Sequence, residues 1–461
     1  MTDHAQSHAI DVRYLKIIAI AIPVILANLA MPFQSLIDTA IVGHLDNAAY
    51  LAGMGLAIQL LSLVLVSFNF LQYASSGLAA QALGKMTYAT TSHTNNAPLL
   101  AILQRALLLA AVIGLGLLLI KPLLIKFGLQ LLAANPNSSA AATTYLNVRF
   151  WGVIAELMNF AFIGWFAGQG KTRYMLYQQG LIAVLNVILT VFFVFGLDLG
   201  LAGVALGTTL AFWSGVIIAL WLATLHLQLS WRDLFTIDKA SVTKDSMLRL
   251  FSLNKDIFIR TLILTLSFTW VTRLSAQSGD LVLAANAILL QVLSISAFAL
   301  DGVAVSAETL SGQAAGRRDW SRFSLIIKRT GVVSYALAAV LTLIWWLIMP
   351  LYLPMMTNIT EVLALAADYQ WFAILLPLIG VGAYWIDGIF FGLTAGKIIR
   401  NAAIIWAVIF FPLSFWLYSK FGMLGIWLSV WSILLLRLLV LSVFLLKAKW
   451  SGSYASLQPK Q

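Results

Sequence analysis

The chain contains 461 residues, of which 61% are hydrophobic and only 10% are charged, and its mean hydropathy is +0.93. A soluble domain carries about 25% charged residues, so this composition excludes an ordinary soluble protein and predicts an integral membrane protein. The formal net charge of +11 does not indicate a nucleic-acid partner, because the Lys and Arg residues are scattered between apolar runs and form no basic stripe. The absence of cysteine excludes disulfides and thiolate sites.

Apolar runs recur along the whole chain and predict twelve membrane-spanning helices, because about 20 helical residues cross the hydrocarbon core. The first run lacks a small-residue cleavage site, so we interpret it as a retained first helix. The predicted spans lie near residues 15–43, 50–83, 99–127, 142–167, 175–197, 201–227, 254–277, 282–314, 325–352, 363–391, 401–419 and 423–447. The predicted fold class is therefore an all-α integral membrane protein.

A long polar break at residues 230–256 predicts a linker between an N-terminal lobe (1–229) and a C-terminal lobe (257–461). An internal repeat supports this division, because LAAQALGK (78–85) is similar to LSGQAAGR (310–317) about half a chain later. Six helices in each lobe start both lobes on the same side of the membrane, so the lobes are parallel repeats related by a pseudo-two-fold axis. Such duplication is typical of secondary transporters that work by alternating access.

The distribution of basic residues predicts the orientation of the chain. Most of the 28 Lys and Arg residues fall at the two termini and in the connections from even-numbered to odd-numbered spans. The positive-inside rule therefore predicts that both termini and the linker lie in the cytoplasm. We expect a monomeric, multi-pass protein of the bacterial cytoplasmic membrane, with the lipid bilayer around it.

Asp38 is the one carboxylate in MPFQSLIDTAIVGHL (31–45), deep in the first predicted helix. A carboxylate that faces lipid is costly, so Asp38 is expected to face protein or water. At 100° per residue, Met31, Gln34 and Ile41 share its face of the helix and form a wall that is both apolar and hydrogen-bonding. Because removal from water disfavours the ionised form of a carboxyl, Asp38 is a candidate for proton exchange. The structural alternative is a carboxyl that fixes the packing of the helix.

Three further polar residues lie in the same lobe. Asn186 and Thr190 are four residues apart on one face of the fifth helix, and Thr208 lies in the sixth. They either complete a hydrogen-bond network around Asp38 or join the helices to one another, as Asn and Thr commonly do in membranes.

Arg149 and Glu156 share a face of the fourth predicted helix. Seven residues separate them by about 10 Å along an ideal helix. We therefore expect no direct ion pair between them and favour structural roles for both.

The second lobe carries its own acids, Asp301, Glu308 and Asp387. Acids in one lobe can bind a cation or a cationic substrate. Alternatively, donors such as Arg260 and Arg437 satisfy their charges. Both interpretations stay open at this point, and we expect neither a bound metal nor an organic cofactor.

Four segments carry a resemblance to a known family: FQSLIDTAIVGHL (33–45), FIRTLILTLSFTWVTR (258–273), ALDGVAVSAETLSGQAAGRRD (299–319) and IDGIFFG (386–392). Together with the twelve predicted helices, they resemble the multidrug and toxic compound extrusion (MATE) family, and within it the DinF-like branch. The resemblance covers essentially the whole chain. It implies an antiporter that expels amphiphilic, often cationic, organic compounds while a cation flows inward.

The resemblance also implies roles for single residues of the first lobe. Asp38 matches the first-helix aspartate that relatives use for protonation, and Pro23 matches a proline at which that helix bends, as a missing backbone N–H allows. Asn186 and Thr208 fit the neighbouring polar cluster. Thr190 stands where an archaeal relative has a second acid, and this departure argues against a relay between two carboxylates.

Proton coupling is favoured over sodium coupling by the same resemblance. Sodium-coupled members of another branch use an acid in the seventh helix, and here that helix has no acid beyond Asp256 at its start. Asp387 leaves a sodium site in the second lobe as an alternative. The function expected from the sequence is thus multidrug export driven by a proton gradient, without enzymatic activity.

Two other functions remain as alternatives. A flippase for a lipid-linked precursor would be expected to line its cavity with several Arg or Lys side chains that hold a pyrophosphate. An intramembrane protease with two aspartates would require a G-x-G-D setting, which neither LDG (300–302) nor IDG (386–388) supplies.

Overall fold

The computed structural model describes residues 10–43, 45, 48–88, 96–131, 136–230, 232, 236 and 244–458, with the side chains at 31, 33, 36, 48, 87, 88, 131, 244–253 and 280 outside this description. Sixteen α-helices lie in the described part of the chain. In order they are α1 (Tyr14–Gly43), α2 (Ala48–Val66), α3 (Phe70–Tyr88), α4 (Ala97–Leu119), α5 (Lys121–Leu131), α6 (Pro136–Arg149), α7 (Val153–Gly168), α8 (Thr172–Val191), α9 (Gly200–Leu227), α10 (Lys244–Gln277), α11 (Asp280–Arg317), α12 (Trp320–Met356), α13 (Thr360–Ile374), α14 (Leu376–Gly392), α15 (Gly396–Phe421) and α16 (Met423–Trp450).

The helices confirm the all-α membrane class. Ten helical segments in the described residues are long and apolar enough to cross a bilayer, and α13 with α14 forms an eleventh that is bent by 41°. α1 has 30 residues and begins with the shorter apolar stretch Tyr14–Ala30, so the described segments are consistent with the twelve predicted spans. Continuous helices suit hydrocarbon because they satisfy every backbone N–H and C=O inside one segment.

Two of the spans contain a short turn that is not α-helical. A 3₁₀ turn, Phe150–Gly152, joins α6 to α7 within one continuous span. A π-helical turn, Phe192–Gly196, ends the span that α8 begins. Such turns change the direction in which neighbouring side chains point, and they are frequent near functional sites.

The chain forms two compact units, one of residues 1–25, 80–90 and 252–461 and one of residues 26–79 and 91–251. The division between residues 251 and 252 falls inside the predicted linker 230–256. The units differ from the predicted lobes (1–229 and 257–461) because residues 1–25 and 80–90 group with the C-terminal half. The lobe boundaries themselves stay a prediction.

The two copies of the internal repeat pack on each other inside the first unit. A side chain at Gly84 would collide with the backbone carbonyl of Gln313, and a side chain at Gly316 would collide with that of Gln81. Gln81 and Gln313 occupy the same position of the repeat, so the contact is reciprocal. The repeat that the sequence indicated is therefore also a close backbone crossing, which only small residues permit.

Candidate functional site

Asp38 of α1 lies at the centre of a polar cluster inside the second unit, with only 5% of its surface exposed. Asn186 Nδ2 lies 3.5 Å from Asp38 Oδ2, and Thr208 Oγ1 lies 3.5 Å from the same oxygen. Thr190 Oγ1 lies 3.4 Å from Asp38 Oδ1. These four side chains, here called the Asp38 cluster, are the acid and the three polar residues that the sequence predicted to form a network in this lobe.

The cluster forms where α8 and α9 approach each other closely. Asn186 and Thr190 are one turn apart on α8 and are fully buried. A Cβ atom at Gly207 of α9 would lie 2.6 Å from Thr190 Oγ1 and 2.8 Å from Thr190 N. Only glycine leaves room for this approach, which brings Thr208, the next residue of α9, to the carboxyl.

The hydrogen bonds of the cluster leave the carboxyl loosely held. Its three donor distances of 3.4–3.5 Å are at the long end for hydrogen bonds. Thr208 has one hydroxyl proton, and its Oγ1 also lies 3.0 Å from the carbonyl O of Val204. Asn186 Nδ2 donates to the same Oγ1 of Thr208 at 2.9 Å. Asp38 therefore meets three neutral donors, two of which also contact other partners, and this arrangement tolerates both the ionised and the protonated carboxyl.

The other predicted first-lobe residues lie on α1 as expected. Gln34 is buried, with 8% of its surface exposed, and Pro23 is buried inside the helix. The bend at Pro23 and a role of Gln34 in a substrate cavity stay predictions. The side chain of Met31 lies outside the described residues.

The expectation for Arg149 and Glu156 was wrong, because Arg149 Nη2 and Glu156 Oε2 form a buried ion pair. The rise of a straight helix does not account for the reach of two long side chains. A 3₁₀ turn also interrupts the helix between the two residues. The guanidinium of Arg149 further lies over the ring of Phe212 on α9, 4.7 Å from its centroid.

Sequence reasoning missed three buried polar residues near this site. Tyr145 precedes Arg149 by one turn and is buried, with 3% of its surface exposed. Gln178 Nε2 donates to Asn159 Oδ1 at 2.7 Å, and Asn159 Nδ2 donates to the carbonyl O of Phe212 at 2.9 Å. Tyr145 and Gln178 fall on the same helix faces as Arg149 and Asn186 at multiples of four residues, and this spacing was the available signal.

Asp387 of α14 lies in the first unit between two guanidinium groups. Its Oδ2 pairs with Arg260 Nη2 of α10 and with Arg437 Nη2 of α16, the latter at 2.6 Å. The two guanidinium groups also lie over aromatic rings, Arg260 over Phe391 at 5.5 Å and Arg437 over Tyr384 at 5.4 Å. The arrangement matches the alternative in which Arg donors satisfy the charge of Asp387.

The two remaining second-lobe candidates lie on α11. Asp301 interacts through its charge with Arg260, Arg437 and Asp387, but no hydrogen bond or ion pair joins it to another described residue. Glu308 lies two turns further along the helix and is 2% exposed. The structure thus brings Asp301 and Asp387 into one charged group.

Comparison with known proteins agrees with this architecture. The MatE family model matches residues 23–192 and 257–416, most of both halves of the chain. The chain is 30% identical over 418 residues to DNA damage-inducible protein F of Escherichia coli (strain K12), covering 91% of this chain and 89% of that protein. It is 27% identical over 347 residues to the probable multidrug resistance protein NorM of Bradyrhizobium diazoefficiens, covering 73% and 70%.

Among solved structures, the fold is similar to that of the Vibrio cholerae MATE transporter VcmN, with a TM-score of 0.80 at 18% identity over 96% of this chain and 98% of that chain. At this identity the likeness concerns the fold alone. The match of the family model to both halves and the 30% identity over nearly the full length carry the assignment. The chain belongs to the MatE family and is a DinF-like MATE transporter.

Proposed function

We propose that the protein is a proton-coupled antiporter that exports amphiphilic, cationic organic compounds by alternating access, with Asp38 as the coupling group. The observation that carries the proposal is the Asp38 cluster, in which a buried carboxyl meets hydroxyl and amide donors and, among the described residues, no basic side chain at hydrogen-bond distance. Intramembrane acids are functional by default, because a purely structural use is costly. A carboxyl in such a setting can exchange a proton for a cationic substrate.

The charge of the cluster supports a cationic substrate. The ion pair of Arg149 with Glu156 is neutral as a whole, so the buried side chains described for the second unit carry no net charge when Asp38 is protonated. Loss of that proton leaves one negative charge, which an organic cation would neutralise. The similarity to a probable multidrug resistance protein is consistent with compounds of this class.

The ion pairs of Asp387 and Asp256 support a proton rather than a sodium ion as the driving ion. A sodium ion prefers oxygen ligands that carry uncompensated negative charge, whereas the carboxylate of Asp387 is already held by two guanidinium groups. Asp256, the acid at the start of the seventh span, pairs with Arg400 Nη1 at 2.7 Å. Sodium coupling stays the principal alternative.

The same contacts argue against a flippase. Arg149, Arg260 and Arg437 lie in spanning segments, and each is paired with a carboxylate, so these guanidinium groups are not presented to a pyrophosphate. An intramembrane protease is not favoured either, because two Arg side chains already hold the carboxylate of Asp387. We further propose a monomer in the bacterial cytoplasmic membrane, with both termini in the cytoplasm.

The decisive experiment uses the purified full chain in liposomes with a cationic fluorescent dye. We expect an imposed pH gradient at equal sodium to drive dye movement, and an imposed sodium gradient at equal pH to have little effect. Asp38→Asn keeps the shape of the side chain but cannot titrate, so it should abolish pH-driven movement. Asp38→Glu still titrates and should retain partial export with a shifted pH optimum.

Each other result points to one alternative. Dye movement driven by sodium in the wild-type protein would establish the sodium-coupled alternative. Full pH-driven export by a folded Asp38→Asn variant would show that the coupling group lies elsewhere, with Asp301, Glu308 and Asp387 as the next candidates. Movement of a labelled lipid precursor without movement of dye would favour the flippase.

A further inference from the structure

The ion pair between Arg149 and Glu156 calls for a functional explanation. The two side chains are only 6% and 8% exposed. Moving two charges out of water is expensive, and apolar residues of similar size often give a buried site equal or greater stability. A buried ion pair is therefore weak evidence for a stabilising role. The residues around this ion pair indicate a different role.

The ion pair lies beside the Asp38 cluster. The guanidinium of Arg149 lies over the ring of Phe212, 4.7 Å from its centroid. Phe212 follows Thr208 by one turn of α9, and Thr208 Oγ1 lies 3.5 Å from Asp38 Oδ2. Arg149 interacts through its charge with Asp38 as well as with Glu156. The ion pair and the carboxyl of Asp38 thus contact neighbouring turns of α9.

Within the described residues, the ionisable groups that act on Asp38 are Tyr145 and Arg149 of α6. α7 provides Glu156, which binds Arg149. α8 provides Asn186 and Thr190, and α9 provides Thr208, none of which titrates. Arg149 is consequently the one positive charge that acts on Asp38 from these elements.

The guanidinium of Arg149 has one donor nitrogen without a hydrogen-bond partner among the described residues. Its Nη2 is bound to Glu156, whereas its Nη1 is buried and has no hydrogen-bond partner among the described residues. A guanidinium stays protonated at all relevant pH values. If Glu156 did not neutralise it, a full positive charge would act on Asp38, and an opposite charge at close range favours an ionised carboxyl.

We propose that Glu156 is a positioning residue for proton coupling: by binding Arg149, it prevents the guanidinium from holding Asp38 permanently ionised. Asp38 can then take up a proton from one side of the membrane and release it to the other. The positive charge of Arg149 in turn stabilises the ionised carboxylate of Asp38, so that Asp38 can also release its proton. The inference rests on the proposed proton-coupled function.

The test measures the pH dependence of dye export in liposomes for two single variants with opposite expected shifts. Glu156→Gln leaves Arg149 unneutralised, so the pH of half-maximal export should fall by about 1–3 units. Arg149→Met removes the positive charge, so the pH of half-maximal export should rise. Because the shifts have opposite signs, either variant that folds is sufficient to test the proposal.

Three controls separate this role from a structural one. Glu156→Asp keeps the charge and should restore most of the wild-type pH profile. Replacing Arg149 and Glu156 together by Met removes both charges and should return the profile toward that of the wild type. Thr209→Val, which alters a nearby hydroxyl that bonds to the carbonyl O of Val148, should leave the profile unchanged.

A wild-type pH profile in a folded Glu156→Gln or Arg149→Met variant would overturn the inference, and so would shifts of the same sign in both. Failure of the inference can be told apart from failure of the proposed function. If Asp38→Asn still exports dye under a pH gradient, the proposed function fails. If Asp38→Asn is inactive but both Arg149 and Glu156 variants show the wild-type profile, only this inference fails.

Discussion

Thr190 of α8 donates its hydroxyl to Asp38 of α1 across 152 positions of sequence, at 3.4 Å. The bond links two helices of the second unit and is one of the long bonds that hold the carboxyl. Donors to a carboxylate stabilise its ionised form. Thr190 therefore contributes to the balance between the protonated and ionised states of Asp38, which a proton-coupled mechanism uses.

Replacing Thr190 with Val should alter the pH dependence of export without unfolding the protein. Val has nearly the same shape but lacks the donor, so Asp38 should keep its proton to a higher pH. We expect the pH of half-maximal export to rise by about 0.5–1 unit, which corresponds to about 1 kcal/mol, a modest hydrogen bond. Dye export in liposomes between pH 5 and 9 measures the shift.

Thr224→Val is a matched control for this prediction. Thr224 lies on α9 and its hydroxyl donates to the carbonyl O of Trp221 in its own helix, so its loss should leave the pH profile as it is. A downward shift for Thr190→Val, or an equal shift for the control, would contradict the assigned role.

The sequence predicted the Asp38 cluster well because its members obey helix spacing. Asn186 and Thr190 are four residues apart, and Asp38 is conspicuous in an apolar helix. What brings them to one point is the close approach of α8 to α9 at Gly207. A glycine in an apolar helix has many explanations, so the contact itself could not be predicted.

The charged contacts were harder to predict for two different physical reasons. The pair of Arg149 and Glu156 depends on side-chain reach across a 3₁₀ turn, which an ideal helix does not represent. Asp387 meets Arg260 and Arg437 from three helices that are far apart in sequence. Sequence spacing carries no information on such pairings, so the choice between a cation site and Arg partners stayed open until the fold was known.

Substitution of Gly207 by Ala should destabilise the protein and disturb export. The added methyl group would lie 2.6–2.8 Å from atoms of Thr190, so α8 and α9 must separate. Overpacking of this kind costs about 1–3 kcal/mol. Thermal unfolding of the purified variant in detergent should show a lower midpoint, and dye export should fall with it.

Gly180→Ala provides the comparison on the same helix pair. No atom lies within 4 Å of a Cβ atom placed at Gly180 of α8, and Ala is a better helix former than Gly by about 1 kcal/mol. This variant should be as stable as the wild type or slightly more stable. Equal midpoints for both variants would show that the close approach at Gly207 is unimportant.

Asp387 and Asp301 should respond differently to neutralisation. Asp387→Asn leaves Arg260 and Arg437 buried without their carboxylate, and breaking a buried ion pair costs about 3–5 kcal/mol. Asp301→Asn breaks no hydrogen bond or ion pair among the described residues, so its stability should stay close to that of the wild type. Thermal unfolding of the two purified variants compares them directly.

The same two variants separate structure from transport in the second lobe. If Asp301 binds the cationic part of a substrate, the alternative that the sequence left open, Asp301→Asn should weaken dye binding while the protein stays folded. Undiminished dye affinity in that variant would leave Asp301 without a role in binding. A fully stable Asp387→Asn variant would mean that its two Arg partners find other acceptors and that the ion pairs are not structurally required.

The orientation of the chain can be tested by labelling, because the protein has no native cysteine. The positive-inside rule places the C-terminal segment in the cytoplasm and the connection between α12 and α13 outside. Ser451 and Asn358 are exposed positions in these two regions. An impermeant thiol reagent applied to intact cells should therefore label Asn358→Cys and leave Ser451→Cys unlabelled until the membrane is opened. The reverse pattern would invert the topology, and protons driving export would then have to reach Asp38 from the opposite side.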